Sequence, residues 1–171
     1  SCPPIVYTGN LDAYQNISFL EHVMARVRAE IPEARLILAT RERATFAGAE
    51  ILRTPDFAAL REVLARDAVV VCPRVSWSGY SIKLLNAMAA GKAIVACRSA
   101  AYPLEHGQTA LIAEDNDEEG FAEAVFRLMR DPLLRARLGE EARRVVDAHH
   151  TPAQFAESLE RVFERAMAHA L

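Results

Sequence analysis

The chain has 171 residues, enough for one domain with its own core. Its composition, 51% hydrophobic and 25% charged, is that of a globular protein and excludes a disordered or fibrous chain. A net charge of −3 gives no electrostatic reason to expect nucleic acid as a partner, and no apolar run approaches the length of a membrane span.

Ile5–Thr8 is a short apolar run ended by Gly9 and reads as the first strand. Phe19, Leu20, Val23, Val27 and Ile31 recur at helical spacing, which predicts a helix from about Ser18 to Ile31 with Pro32 as its stop. Arg35–Ala39 is the second strand and Glu50–Leu52 a short third. Thr54 then stands as an N-cap with Pro55 at the first helical position, and Leu60, Val63 and Leu64 give that helix its apolar stripe. Ala68–Cys72 is a continuous apolar run, the pattern of a strand buried on both faces of a parallel sheet. Gly79 opens an amphipathic helix, Gly91 closes it, and strands at Ile94–Ala96 and Leu111–Ala113 follow.

The C-terminal third is helical. Phe121, Val125, Leu128 and Met129 share one face. Asp131-Pro132 caps the next helix, with Leu134, Leu138, Ala142 and Val145 as its stripe. Thr151-Pro152 caps the last, with Phe155, Leu159, Val162, Phe163 and Met167. Strands alternating with helices predict an α/β fold with a doubly wound, parallel, Rossmann-like sheet, as a single domain with C-terminal helices. No internal repeat, long linker or low-complexity tract interrupts it.

Cys2, Cys72 and Cys97 are odd in number, and the last two fall in or beside apolar strands; they read as buried thiols in a reduced compartment, not as disulfides. No Cys/His cluster has metal-ligand spacing, and His149-His150 reads as a solvated pair at a helix end. No signal peptide opens the chain, and Ser1-Cys2-Pro3-Pro4, one step before a strand, reads as a cut into a longer sequence. Arg is used far more than Lys: the two lysines are Lys83 and Lys92, at either end of the Gly79–Gly91 helix.

In an open parallel sheet, ligands bind in the crevice beyond the strand ends, and a helix start there favours an anion. The run Ile82-Lys83-Leu84-Leu85-Asn86-Ala87-Met88-Ala89-Ala90-Gly91-Lys92-Ala93-Ile94-Val95-Ala96 sits at such a place. It resembles the P-x-K-L-x-E-Y-M-A-A-G-K-P-V-V-A signature of retaining glycosyltransferases of the two-Rossmann-domain (GT-B) type, group 1 or family 4. Val6–Leu11 is similar to the opening strand and glycine loop of that family's C-terminal domain. His106–Ile112 resembles its d-G-x-t-G-l-l-v segment, and Asp131-Pro132 through Arg143 its d-P-x-l-r-x-x-l-G-x-x-A-r segment.

The resemblance assigns a donor site and also marks departures from it. The family's G-R-L-x-x-x-K-G pattern, whose Arg and Lys contact the donor diphosphate, falls on Gly9, Asn10 and Gln15, so both cations are replaced by amides. Its E-x7-E pair falls on Ser78 and Asn86, so both carboxylates are absent. Ser78 reads as a helix cap, whereas Asn86 retains hydrogen bonds for the nucleotide ribose. Lys83 is in register with the family's Lys and is expected to be an exposed side chain reaching the donor phosphates, joined by Gly79, Ser81 and Leu84 at the helix start. Glu105 resembles an acidic residue near the donor sugar. Trp77 stands in the crevice loop, as a pocket wall or a cover for the core. Arg41-Glu42-Arg43 occupies the place of a glycine-rich turn near the base. Lys92 is expected to be solvated at the helix C-terminus.

The resemblance therefore implies that residues 1–171 are the C-terminal, nucleotide-sugar-binding half of a bacterial, cytoplasmic hexosyltransferase of polysaccharide biosynthesis. Its donor is a UDP- or GDP-sugar, and its acceptor a glycan or lipid-linked sugar. Its partner is the acceptor-binding N-terminal domain of the same enzyme, through which it meets the membrane surface peripherally. The isolated half is expected not to turn over, and the reading calls for no cofactor and no metal. The last helix is expected to turn its stripe away from its own domain, since in the family it crosses to the other half. Two alternatives stay open: a non-catalytic binding or scaffold module, which the missing charges favour, and half of a nucleotide-sugar epimerase, which shares the architecture.

Overall fold

The computed structural model describes residues 2–76, 79 and 81–168. In chain order the elements are β1 (Ile5–Thr8), α1 (Phe19–Glu30), β2 (Leu36–Thr40), β3 (Ala49–Arg53), α2 (Phe57–Ala65), β4 (Val69–Cys72), α3 (Ile82–Ala89), β5 (Ala93–Cys97), β6 (Leu111–Ala113), α4 (Glu118–Arg130), α5 (Pro132–His149) and α6 (Pro152–Ala168). The six strands form one sheet in the order β3-β2-β1-β4-β5-β6, and every neighbouring pair is parallel. This is the doubly wound, Rossmann-like α/β architecture expected from the alternation of elements. The chain grows outward from β1 through β2 to β3, then crosses back to place β4 on the other side of β1. That reversal opens a crevice beyond the carboxyl ends of β1 and β4.

Alternation along each strand decides which layer it feeds. Val69 and Val71 of β4 enter the core beneath α1 and α4. Val70 and Cys72 enter the opposite one, with Leu84, Ala87 and Met88 of α3 and Ala142 and Val146 of α5. A small third cluster joins Val6, Ile37 and Ala39 to Val63 of α2. The central strands are buried on both faces, which is why they read as unbroken apolar runs; β3, at the sheet edge, is only half covered. On the first face the rings of Phe19 and Phe121 meet edge to face, centroids 5.3 Å apart, and lock α1 to α4.

Helix starts follow local capping. Asp117 accepts from the Gly120 N–H and Asp131 from the Leu134 N–H, both at 2.9 Å, and Pro132 opens α5. At α6, Thr151 and Gln154 cap each other reciprocally. Two helix starts differ from the sequence reading: α3 begins at Ile82, with Ser81 at its N-cap, three residues past Gly79, and α2 begins later than Thr54-Pro55 implies. The cap of α2 is Asp56, which accepts from the Ala59 N–H at 2.9 Å, and not Thr54. Thr54 is buried, and its N–H donates to the Thr40 carbonyl at 2.8 Å, prolonging the β2–β3 ladder by one bond. The ladder therefore holds Thr54 against β2, and the helix starts two residues later, after an extended Asp56.

α5 and α6 differ in what they pack against. Gly139 lies against the turn that closes α3: a Cβ there would sit 2.1 Å from the Gly91 carbonyl oxygen, so only glycine lets the helix approach. Beyond α5, α6 leaves its apolar stripe in the open, with Phe155 70% and Phe163 59% exposed, as the resemblance implied. No helix among the described residues is long and apolar enough to cross a membrane, and no group of His, Cys, Asp and Glu among them is placed to hold a metal. Cys72 and Cys97 are buried free thiols, their pKa values pushed up by burial.

Candidate functional site

The crevice beyond β1, β2 and β3 encloses about 340 Å³. Its floor is built by the loop after β1. Gly9 leaves the strand at φ +133°, a backbone shape that side-chain-bearing residues rarely adopt, and its N–H donates to the Ala39 carbonyl at 3.0 Å. A Cβ on Gly9 would lie 3.2 Å from the Tyr7 hydroxyl and 3.3 Å from Lys83 Nζ. Glycine at this point thus leaves room for a lysine arriving from α3.

Lys83 Nζ donates to the Tyr7 hydroxyl at 3.1 Å and to Gln15 Oε1, and lies 4.9 Å from the centroid of the Tyr7 ring. The Tyr7 hydroxyl in turn donates to the Asn10 carbonyl at 2.6 Å. Gln15 Nε2 donates to Asn10 Oδ1 at 2.8 Å, and Asn10 Nδ2 donates to the Tyr14 hydroxyl at 3.2 Å and to Asp12. Tyr7 is fully buried and burial raises its pKa far above the ordinary range, so it stays a neutral hydroxyl. Two further bonds fasten the loop: Leu11 N–H to Glu42 Oε1 at 3.0 Å, and Asn16 Nδ2 to the Pro73 carbonyl at 3.1 Å. The second ties the exit of β1 to the exit of β4.

Lys83 therefore holds a charge on neutral oxygens. No carboxylate among the described residues lies within ion-pairing distance of Nζ. An ammonium has three N–H groups, and the described partners take two. Burial, with Arg74 nearby, lowers the Lys83 pKa from 10.5. The group gains by meeting an anion, which would restore the charge balance that burial disturbs.

The structure places the expected site residues in three groups. Gly9, Asn10, Lys83 and Asn86 line the crevice together. Asn86 is half-buried, and no described residue bonds its amide. Ser81 and Gly79 belong to the approach to α3. Ser81 is its N-cap residue but its hydroxyl does not cap; it is buried and has no partner among the described residues. Gly79 has φ +84° and open space around it. Ser78 and Trp77 lie outside the described residues.

Four expectations are corrected. Lys83 is half-buried and not an exposed lysine, because Tyr7 and Gln15 draw its stem down against β1. Gln15 is buried under the loop, where it orients Lys83 and Asn10 and does not face the crevice. Leu84 points into the core beside Ala87 and Met88, one helical step away from the crevice, and its N–H closes on the Ser81 carbonyl. Glu105 is exposed on the loop after β5 and takes no part in lining this crevice; its N–H donates to Thr109 Oγ1 at 2.8 Å.

The sequence reading also missed residues. Tyr7 was read only as part of a strand, yet its hydroxyl centres the network. Thr40, Thr54 and Phe57 line the rim. Their shared signal was position: each lies at or just beyond the carboxyl end of a parallel strand, Thr40 on β2 and Thr54 and Phe57 after β3.

A family model described as glycosyl transferases group 1 matches residues 2–131. Over 86 residues the chain is 36% identical to the exopolysaccharide phosphotransferase SCO2592 of Streptomyces coelicolor, covering 48% of this chain and 9% of that protein. The fold matches the C-terminal domain of a group 1 glycosyl transferase (LpcC) from Francisella tularensis, with TM-score 0.74 and 16% identity over 88% of this chain and 87% of that one. It also matches Anabaena HepE, solved in complex with UDP and glucose, with TM-score 0.74 and 17% identity over 92% of this chain and 48% of that one. The chain thus spans about half of HepE and under a tenth of the Streptomyces relative it matches.

Proposed function

The chain belongs to the group 1 glycosyl transferases, and we propose that it is the part of such an enzyme that holds the nucleotide diphosphate of a UDP- or GDP-sugar donor. The observation that carries this is Lys83: a half-buried cation that, among the described residues, has no carboxylate beside it and two of its three N–H groups taken, at the floor of a crevice and the start of α3. A diphosphate bound there accepts a charge-assisted hydrogen bond from Nζ and meets the positive end of the helix. As the sugar leaves, negative charge grows on the departing phosphate oxygen, and the same two features stabilise it. Asn86 offers uncharged hydrogen bonds to the nucleoside. The fold it shares with HepE, whose complex holds UDP and glucose, supports the reading.

The rest of the enzyme, on this reading, is an N-terminal domain that binds a glycan or lipid-linked acceptor and meets the membrane surface peripherally. The complete protein transfers a hexose with retention in the cytoplasm during polysaccharide biosynthesis, and residues 1–171 alone do not turn over. A second reading, a non-catalytic binding module, is favoured by one observation. Asp12 stands on the glycine loop, Glu42 reaches it from the loop after β2, and the amides of Asn10 and Gln15 are engaged with each other and with their neighbours. A thermal-shift screen with UDP, GDP, ADP and their sugars separates the two. A ligand at a hundred times its Kd adds about 2.7 kcal/mol to stability; a clear rise in Tm with one nucleotide supports the donor site, and no rise with any at millimolar concentration supports the binding module.

A further inference from the structure

We propose, on the nucleotide reading above, that Phe57 is the stacking platform for the nucleobase and so sets how tightly this crevice prefers a nucleotide over a bare diphosphate. Phe57 is the first residue of α2 and is 59% exposed on the rim of the crevice whose floor carries Lys83. The backbone that carries the ring is fixed at three points. Asp56 caps the helix through the Ala59 N–H, which fixes the backbone at Phe57. The Thr54 N–H bond to the Thr40 carbonyl fixes the approach from β3. Leu60, one turn further on, is half-buried and packs against the core beneath. An exposed aromatic side chain with two χ angles, on a fixed helix start beside a cavity, loses little conformational freedom when a flat ring covers it.

The same rim explains the orientation. Phe57 and Asn86 line both this crevice and the groove that continues between α2 and α3, so they stand where the two meet. Asn86 carries a donor and an acceptor that no described residue takes. A ligand with its phosphates at Lys83 therefore passes Asn86, which suits a sugar hydroxyl or a base edge, and reaches Phe57 with its flat end. Inorganic pyrophosphate has no such end and gains nothing from the ring.

Titration calorimetry of the chain with inorganic pyrophosphate, UDP, GDP and ADP tests this. Wild type should bind at least one nucleotide more tightly than pyrophosphate. Phe57→Ala should weaken that nucleotide about tenfold, the worth of one stacked base, and leave pyrophosphate unchanged; Phe57→Tyr should restore the nucleotide. The proposal is overturned if Phe57→Ala weakens neither ligand, or weakens both alike, or if Phe57→Tyr fails to rescue. It is also overturned if wild type binds pyrophosphate and every nucleotide equally, a result that leaves the anion site at Lys83 standing. Absence of binding by wild type to any of the four removes the donor-site reading and this inference together.

Discussion

Lys83 and Lys92 stand at opposite ends of α3, both half-buried and both with pKa values lowered first by burial, yet their surroundings differ in kind. At the C-terminal end Lys92 Nζ donates to the Arg66 carbonyl at 2.7 Å, the C-cap residue of α2, and Asp67 pulls its pKa back up. Gly91 and Gly139 close the space around that turn. Lys92 ties α3 to α2 there and Gly139 brings α5 against Gly91, so the end is a joint between helices. At the N-terminal end the cation rests on Tyr7 and Gln15, the Ser81 hydroxyl is unpaired among the described residues, and a crevice opens in front. One end of the helix is closed by the fold, and the other, on the proposed reading, is completed by a ligand. Burial and a lowered pKa do not tell the two apart; the Asp67 charge that acts on Lys92 and the crevice in front of Lys83 do.

Substitutions at the two ends should separate stability from binding. The largest effect is expected for Gly139→Ala, whose new Cβ would meet the Gly91 carbonyl at 2.1 Å. Overpacking of this sort costs about 1–3 kcal/mol, occasionally more, and urea unfolding should show it with nucleotide affinity intact in the folded fraction. Lys83→Ala should do the reverse: a charge-assisted bond of about 1.5–3 kcal/mol is worth roughly one to two powers of ten in affinity. Gln15→Leu removes a neutral acceptor from Lys83 and should weaken binding by about fivefold, the worth of a hydrogen bond near 1 kcal/mol. Lys92→Ala should cost about 1 kcal/mol of stability or less and leave affinity unchanged.

The same contrast has a pH signature. Binding an anion needs the Lys83 ammonium, and burial lowers its pKa from 10.5. Affinity should hold at neutral pH and fall as pH rises through that lowered value, before an ordinary lysine would lose its proton. Lys83→Arg, always charged, should flatten the profile. A wild-type profile that stays flat up to pH 10.5 would sink this expectation.

The strands were legible in the sequence because β1, β2, β4 and β5 are buried on both faces and carry unbroken apolar runs. Helix ends were legible where a cap stood alone, as at Asp131-Pro132, and misread where two candidates adjoined, as at Thr54 and Asp56. The site was legible as a place, the start of α3, but not as a set of contacts. Sequence register puts Lys83 on the helix; it does not say that Gly9 clears a path for it or that a strand tyrosine will hold its head. It likewise cannot show that Leu84, its neighbour in the motif, turns inward while Asn86 turns to the crevice. Those outcomes depend on how a helix is rotated over a sheet, which is settled by packing from both layers at once.

The central claim is that the N-terminal end of α3 is an anion site completed by Lys83. Titration calorimetry with UDP, GDP and ADP on wild type, Lys83→Ala and Lys92→Ala tests it most directly. The account predicts that one nucleotide binds wild type and Lys92→Ala alike and binds Lys83→Ala about ten- to a hundredfold more weakly. Equal affinity of wild type and Lys83→Ala for that nucleotide, with both proteins folded, would contradict it.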